Sequence, residues 1–285
     1  MEQKNIHWFP GHMVKALREI EERMAVVDVV IEICDARAPF ASRNPFLAEI
    51  RPNKKRLLIL AKADLADPNV SDRWIRYFAS QGIPALALDI KNKRIVSILQ
   101  EEVKKLVVEK REREIRKGMR PQPVRAMILG VPNVGKSTLI NTLANRNAAA
   151  VENRPGLTKA QQWIKVGSDF ELLDTPGILP AHYEEKEVTM RLAALGAIKL
   201  EILPLHEIAV FILRFMIKKR KQGLLSRYEL SENDLSDIPN LFTLIASKRG
   251  LLTGGNPDMD KADISIIGDF RNGSLGRISL EEPTL

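Results

Sequence analysis

Cysteine is almost missing from this sequence of 285 residues: Cys34 is the only one, so no disulfide can close within the chain and nothing in it points to an oxidising compartment. Set in Ile31-Glu32-Ile33-Cys34, that thiol reads as a buried packing group rather than a nucleophile. Long hydrophobic runs are lacking too. The most apolar stretch, Ile208 to Ile217, is interrupted by Arg214 and falls far short of the roughly 20 residues that cross a bilayer. Met1 to Ile6 has no apolar signal-peptide core, so a cytoplasmic location with no membrane partner is the expectation. Internal repeats and low-complexity tracts are absent, which sets aside repeat architectures and biased linkers. Acidic charge is in the minority, with 36 Asp and Glu against 44 Lys and Arg, a formal net charge of +8. A polyanion, nucleic acid foremost, is the partner that balance suggests; the plainer alternative is a soluble basic protein.

What is present suits a soluble globular chain of two domains, 45% hydrophobic and 28% charged. Strand and helix patterns alternate through the first two-thirds. Strands are predicted in Val26 to Ile33, Arg56 to Leu60, Ala85 to Leu88, Ala126 to Leu129, Gln161 to Val166 and Phe170 to Leu173. Helices are predicted from Gly11 to Met24, from Pro68 to Ser80 behind the cap Asp67, from Arg94 to Lys117, and from Thr138 to Ala144. Such alternation predicts an α/β fold, a mainly parallel sheet with helices on both faces. After Gly177 the strand signals almost stop, and helical spacing marks Glu187 to Lys199, His206 to Lys221 and Asn240 to Arg249. The expected domains are therefore residues 1–178, α/β, and residues 179–285, a small all-α domain. The basic end of its second helix, Lys218 to Lys221, suits either a helix dipole in water or RNA.

Gly130-Val131-Pro132-Asn133-Val134-Gly135-Lys136-Ser137 fits the phosphate-binding pattern G-x-x-x-x-G-K-[ST] between a predicted strand and a predicted helix. Its glycines let successive backbone N–H groups, from Asn133, Val134 and Gly135 on through Lys136, Ser137 and Thr138, turn toward phosphate oxygens. Lys136 then reaches the outer phosphates and Ser137 holds Mg²⁺. Asp174-Thr175-Pro176-Gly177, at the end of a strand, reads as a D-x-x-G element in which Asp174 steadies Mg²⁺ through water and the Gly177 N–H senses the γ-phosphate. Thr158 in Gly156-Leu157-Thr158 offers a second hydroxyl to the metal. No N-K-x-D element follows Gly177. The best candidate lies upstream, where Ala61-Lys62-Ala63-Asp64 directly follows a strand, so the base-reading half precedes the phosphate-reading half, as in circularly permuted GTPases. Asp64 would accept from the guanine ring N–H and amine, with Lys62 beside it and Ile90 and Lys91 on the neighbouring loop. Ala61 in place of asparagine should weaken guanine binding by on the order of 1–3 kcal/mol.

Trp8-Phe9-Pro10-Gly11-His12-Met13, Asp35-Ala36-Arg37-Ala38-Pro39, Arg43-Asn44-Pro45, the phosphate loop, Arg154-Pro155-Gly156-Leu157-Thr158 and Leu172-Leu173-Asp174-Thr175-Pro176-Gly177 together resemble the bacterial ribosome biogenesis GTPase A family. So do Gly196-Ala197-Ile198-Lys199 and Gly276-Arg277. The resemblance covers nearly the whole chain. It implies a circularly permuted GTPase that binds the immature large ribosomal subunit, contacts ribosomal RNA through its helical C-terminal domain, and is stimulated there to hydrolyse GTP; a monomer is the expected state. Ile178 occupies the place after D-x-x-G where many GTPases keep a water-orienting glutamine, and the resemblance offers His12 as the substitute catalytic group. A helix-capping or RNA-touching histidine is the competing reading. Asn133 resembles the K⁺ ligand of potassium-stimulated GTPases, with loop shaping as its alternative, and Arg37 reads as structural. Two other functions stay open at this point: a nucleotide-gated RNA-binding protein without hydrolysis, and an ATP-using phosphate-loop enzyme.

Overall fold

The structure, a computed structural model of the 285-residue chain, describes residues 18–45, 47, 50–92, 94–144, 163–166, 170–173, 175, 177, 185–198 and 204–284. Its centre is β1, Val29–Asp35, in which all seven residues are buried. β-Branched and aliphatic side chains suit a strand covered on both faces, where no alternation with polar residues is needed. The remaining strands of the sheet are β2 (Lys55–Ala61), β3 (Ala85–Leu88), β4 (Val124–Gly130), β5 (Trp163–Val166) and β6 (Phe170–Leu173). Their order is β3-β2-β1-β4-β6-β5, with only β5 and β6 antiparallel. Strands run outward from β1 toward β3 and outward from β4 toward β5, so the order reverses between β1 and β4. Ligands of open α/β sheets bind at the carboxyl ends of the strands at such a switch point. The register brings Ile33 beside Gly130 and Asp35 beside Ala61, which sets the ends of β4 and β2 on either side of β1.

One face of the sheet is closed by Ile20 and Met24, which pack with Val27, Val30, Leu47, Met127, Leu129 and Leu173. The two acidic residues of β1 are each answered by an arginine. Glu32, buried in the middle of β1, takes a fork from Arg43 at 2.9 and 2.8 Å, and that guanidinium lies 5.2 Å from the centre of the Phe78 ring. Phe78 stacks with Trp74, both on helix α1, Pro68–Ser80. The single long helix expected from Arg94 to Lys117 is instead two, α2 (Ile95–Leu106) and α3 (Val108–Arg116). They break at Val107, whose N–H drops back to Lys104 O and whose β-branched neighbour Val108 is a poor helix former. Helix α4, Lys136–Leu143, follows β4.

Backbone packing divides the chain into two units: Met1–Asp64 with Pro68–Glu184 and Glu281–Leu285, and Leu65–Asp67 with Glu185–Leu280. The second unit holds α5 (Lys186–Leu195), α6 (Leu205–Lys219), α7 (Lys221–Tyr228), α8 (Ile238–Lys248) and α9 (Met259–Asn272). Helix α9 was not among the expected elements. It packs on α6 and α8, with Ile266, Ile267 and Phe270 buried, and is capped by the Asp258 carboxylate at its start and left-handed Gly273 at its end. Among these helices sits one short two-stranded hairpin that the sequence reading did not include, β7 (Leu252–Thr253) and β8 (Asn256–Pro257), where Gly254 and Gly255 take the left-handed conformations of a tight hairpin turn. Expected helix 206–221 ends early at Arg220, which leaves helical geometry and pairs with Asp67.

Two further details of this second unit bear on motifs read from the sequence. Arg271 donates to Ala194 O at 3.0 Å and Ala193 O at 2.7 Å, capping the end of α5. Gly196 is required beside it, since its φ is 81° and a Cβ there would lie 3.1 Å from the guanidinium carbon. Leu65 O accepts from Ile278 N–H at 2.9 Å and Ala66 O from Arg277 Nε at 2.8 Å, which gives Arg277 of the Gly276-Arg277 pair its partner.

Candidate functional site

The phosphate loop begins where β4 meets β1. A Cβ on Gly130 would lie 2.4 Å from Ile33 O, so only glycine lets the strand end that close to its neighbour. Asn133 follows with φ 57°, and Gly135 with φ 115° opens helix α4. The turn thus lays consecutive N–H groups around a concavity closed by the helix N-terminus, an anion site by both geometry and dipole. Lys136, buried, folds its Nζ back onto Gly130 O at 3.1 Å and Val131 O at 2.9 Å. Ser137 is half-buried and Thr138 exposed on the first turn of α4, while Val134 is buried beneath the loop.

Of the D-x-x-G segment, Gly177 lies against this loop and Thr175 against β4. Thr175, buried, donates to Ile128 O of β4. A Cβ on Gly177 would come within 2.7 Å of Pro132 Cα and 2.9 Å of Lys136 Nζ, so glycine is what allows the segment to reach the lysine.

Across from the phosphate loop, Lys62 follows β2 with φ 58° and donates from Nζ to Asn133 O at 3.1 Å. The same Nζ is 3.0 Å from Asp35 Oδ2. Asp35 ends β1 and receives a fork from Arg37, Nε to Oδ1 and Nη2 to Oδ2, each 2.9 Å. Burial works against the charge on Asp35, but Arg37 and Lys62 outweigh it and hold the carboxyl well below the usual carboxylate range. Its contribution to stability is therefore fully present above the ordinary carboxylate pKa of about 4 and is lost only as the pH falls below that. Asp64 is exposed in the short 3₁₀ turn Ala63–Leu65. Ile90 is buried: its side chain fills the space a Cβ on Gly135 would need, 2.3 Å from Cδ1, and its carbonyl accepts from Thr142 Oγ1 of α4. The Lys91 N–H is taken by Asp89 Oδ1 at 3.0 Å.

The structure thus brings Lys62, Ile90, Asn133, Gly135, Lys136 and Gly177 into one connected cluster at the carboxyl ends of β2, β3, β4 and β6. His12, Thr158 and Asp174 lie outside the described residues. Arg37 was read from the sequence as structural and Asp35 only as part of a motif; the signal available for both was an acid and an arginine two apart at a strand end. Cys34 is fully buried and burial pushes its thiol up, as expected of a packing group.

A phosphate loop after the fourth strand in sequence, at the centre of a sheet whose first three strands precede it, fits a circularly permuted GTPase domain followed by a helical region. A family profile described as 50S ribosome-binding GTPase matches residues 125–239, beginning in β4 and leaving β1 to β3 outside. The chain is 47% identical to ribosome biogenesis GTPase A of Bacillus cereus over 98% of its own length and 94% of that protein's, and 32% identical to that of Thermotoga maritima over 97% and 94%. It resembles the crystal structure of GNP-bound YlqF from T. maritima with a TM-score of 0.64 at 26% identity, covering 94% of this chain and 98% of that one. The chain belongs to the ribosome biogenesis GTPase A family. Among the described residues no helix is long and apolar enough to cross a membrane.

Proposed function

We propose that this protein binds GTP and GDP with Mg²⁺ at the site described and hydrolyses GTP as an assembly factor on the large ribosomal subunit, in the cytoplasm and as a monomer. The observation that carries the reading is the meeting of Lys62, Asn133, Lys136 and Gly177 at the switch point of a permuted sheet. In this reading the phosphate-loop N–H groups from Asn133 to Thr138 hold the phosphates and Lys136 moves from its two carbonyls to the outer ones. The Gly177 N–H meets the γ-phosphate, and Asp64 reads guanine. Ser137, Thr158 and, through water, Asp174 would hold Mg²⁺, whose bound charge offsets that developing on the phosphates. Among the described residues no group of three acidic, histidine or cysteine side chains could hold a metal alone, which suits a cation held largely by hydroxyls and the nucleotide's own oxygens. Asn133 is the candidate K⁺ ligand and His12 the group that orients the attacking water. Residues 1–178 supply the GTPase domain, to which the end segment Glu281–Leu285 returns, and the helices of the rest of 179–285 the domain that contacts ribosomal RNA, the basic end of α6 with Lys218 and Lys219 among its contacts.

The test is GTP turnover by the purified protein in K⁺ buffer, with and without large ribosomal subunits, beside a His12→Ala variant. The expected result is slow turnover alone, strong stimulation by subunits, and loss of that stimulation in the variant. GTP binding without turnover in either condition would overturn the hydrolytic reading in favour of a nucleotide-gated RNA-binding protein.

Base specificity provides a second expected outcome. In Asp64→Asn the side chain offers an amide N–H where guanine also offers donors, while xanthine presents a carbonyl there. GDP affinity should fall by about tenfold or more and xanthosine diphosphate should become the better competitor. Displacement of a fluorescent GDP by GDP, XDP and ADP reads this directly; unchanged preference for GDP would remove Asp64 from the base pocket.

A further inference from the structure

Two residues at this site hold backbone conformations that cost free energy unless their surroundings impose them. Lys62 and Asn133 are both left-handed without being glycine, with φ 58° and 57°. They face each other across the Lys62 Nζ to Asn133 O hydrogen bond, which joins the base-reading segment to the phosphate loop. What aims the ammonium at that carbonyl is on the page. Asp35 Oδ2 lies 3.0 Å from it, and the Asp35 and Arg37 side chains are each only 2% exposed. Arg37 closes on the carboxylate from its own turn, donating its backbone N–H to Oδ1 at 3.1 Å as well as its guanidinium fork. Asp35 is in turn fixed by its backbone N–H, which donates to Ser42 Oγ at 2.8 Å.

The Asp35 carboxylate stands between Arg37 and Lys62, and the less buried of these two, Lys62, with 23% of its side chain exposed, is the one that touches the phosphate loop. A pair kept only to satisfy a buried arginine would need nothing from the neighbouring strand. Ala61, the residue joining Lys62 to β2, is fully buried and has no polar side chain to share the task.

We infer that Asp35 is a positioning residue for guanine-nucleotide binding: clamped by Arg37, it directs Lys62 onto Asn133 and so holds the base-reading segment against the phosphate loop. The inference rests on the proposed reading of the site. Without the carboxylate, Arg37 and Lys62 repel each other, Lys62 leaves Asn133, and the two halves of the nucleotide site separate.

The experiment is a double-mutant cycle on the release of fluorescent GDP, using Asp35→Asn, Lys62→Met and the double variant, at a temperature well below the lowest of their melting points. Asp35→Asn and Lys62→Met should each speed GDP release by about tenfold or more, and the double variant should release GDP no faster than Lys62→Met alone. If Asp35→Asn does not fold, Arg37→Lys keeps the cation and breaks the fork; GDP release should still quicken severalfold. A lower melting point with unchanged GDP release, or effects that multiply in the double variant, would overturn the inference while leaving the site reading intact. Absence of GDP binding by the unaltered protein would overturn both.

Discussion

Lys136→Ala should lower GTP and GDP affinity by about a hundredfold or more and leave no measurable turnover, while the melting point falls only modestly. In the structure the Lys136 ammonium already sits inside the loop, on Gly130 O and Val131 O at 3.1 and 2.9 Å, with 7% of the residue exposed. Its stem is packed, so the charge is held where phosphate oxygens would arrive. Charge-assisted hydrogen bonds are worth about 1.5–3 kcal/mol each, and losing two of them gives the expected loss of affinity. The cost to the fold is smaller, since the two carbonyls lose donors but the glycine turns at Gly130 and Gly135 that shape the loop remain. Calorimetric titration with GDP and a thermal melt separate the two effects. Affinity within about threefold of the unaltered protein would mean that the lysine does not reach the nucleotide.

Gly177→Ala should separate binding from hydrolysis. A Cβ would come within 2.7 Å of Pro132 Cα and 2.8 Å of Pro132 N, backbone atoms that cannot rotate away, and 2.9 Å from Lys136 Nζ. The D-x-x-G segment must therefore back off from the phosphate loop. In the proposed reading the Gly177 N–H meets only the third phosphate, so GDP binding should stay within about threefold, whereas hydrolysis should fall by about a hundredfold to a thousandfold, the usual cost of one missing donor to developing charge. Single-turnover hydrolysis and GDP titration on the same preparation test this. Equal losses in both would show that the segment supports the loop as a whole instead of sensing the γ-phosphate.

The phosphate loop was legible because every part of it is local: a strand, a turn of two glycines and a helix within one short stretch. β2, β3, β4 and β6 were legible as apolar runs. β1 was read as Val26 to Ile33 and is found at Val29–Asp35, since Arg37 and Lys62 neutralise Asp35 and let a charged residue end a buried strand. Helix α9 escaped notice for a related reason. Asp263 and Asp269 occupy buried positions while Ile264 is 59% exposed, which blurs its apolar face. The partners that make those acids tolerable, His206 for one and Arg227 with Tyr228 for the other, are remote in sequence. The tie between Lys62 and Asp35 depends in the same way on the pairing of β1 with β2, which no local pattern carries.

The loop after β1 that carries Arg37 is fastened from far downstream. Glu281 accepts the backbone N–H groups of Phe40 and Ala41, the latter 240 residues away in sequence, and its carbonyl takes the Trp74 indole N–H. Domains generally fold as they are synthesised, the earlier one first. Here the order of manufacture and the order of completion are at odds. A nascent chain can emerge through β6, with the whole sheet in hand, and still lack the carboxylate that pins the turn beside Asp35. A chain cut short before Glu281 carries every phosphate-loop residue and yet lacks the carboxylate that holds the Phe40 and Ala41 N–H groups of the turn after β1.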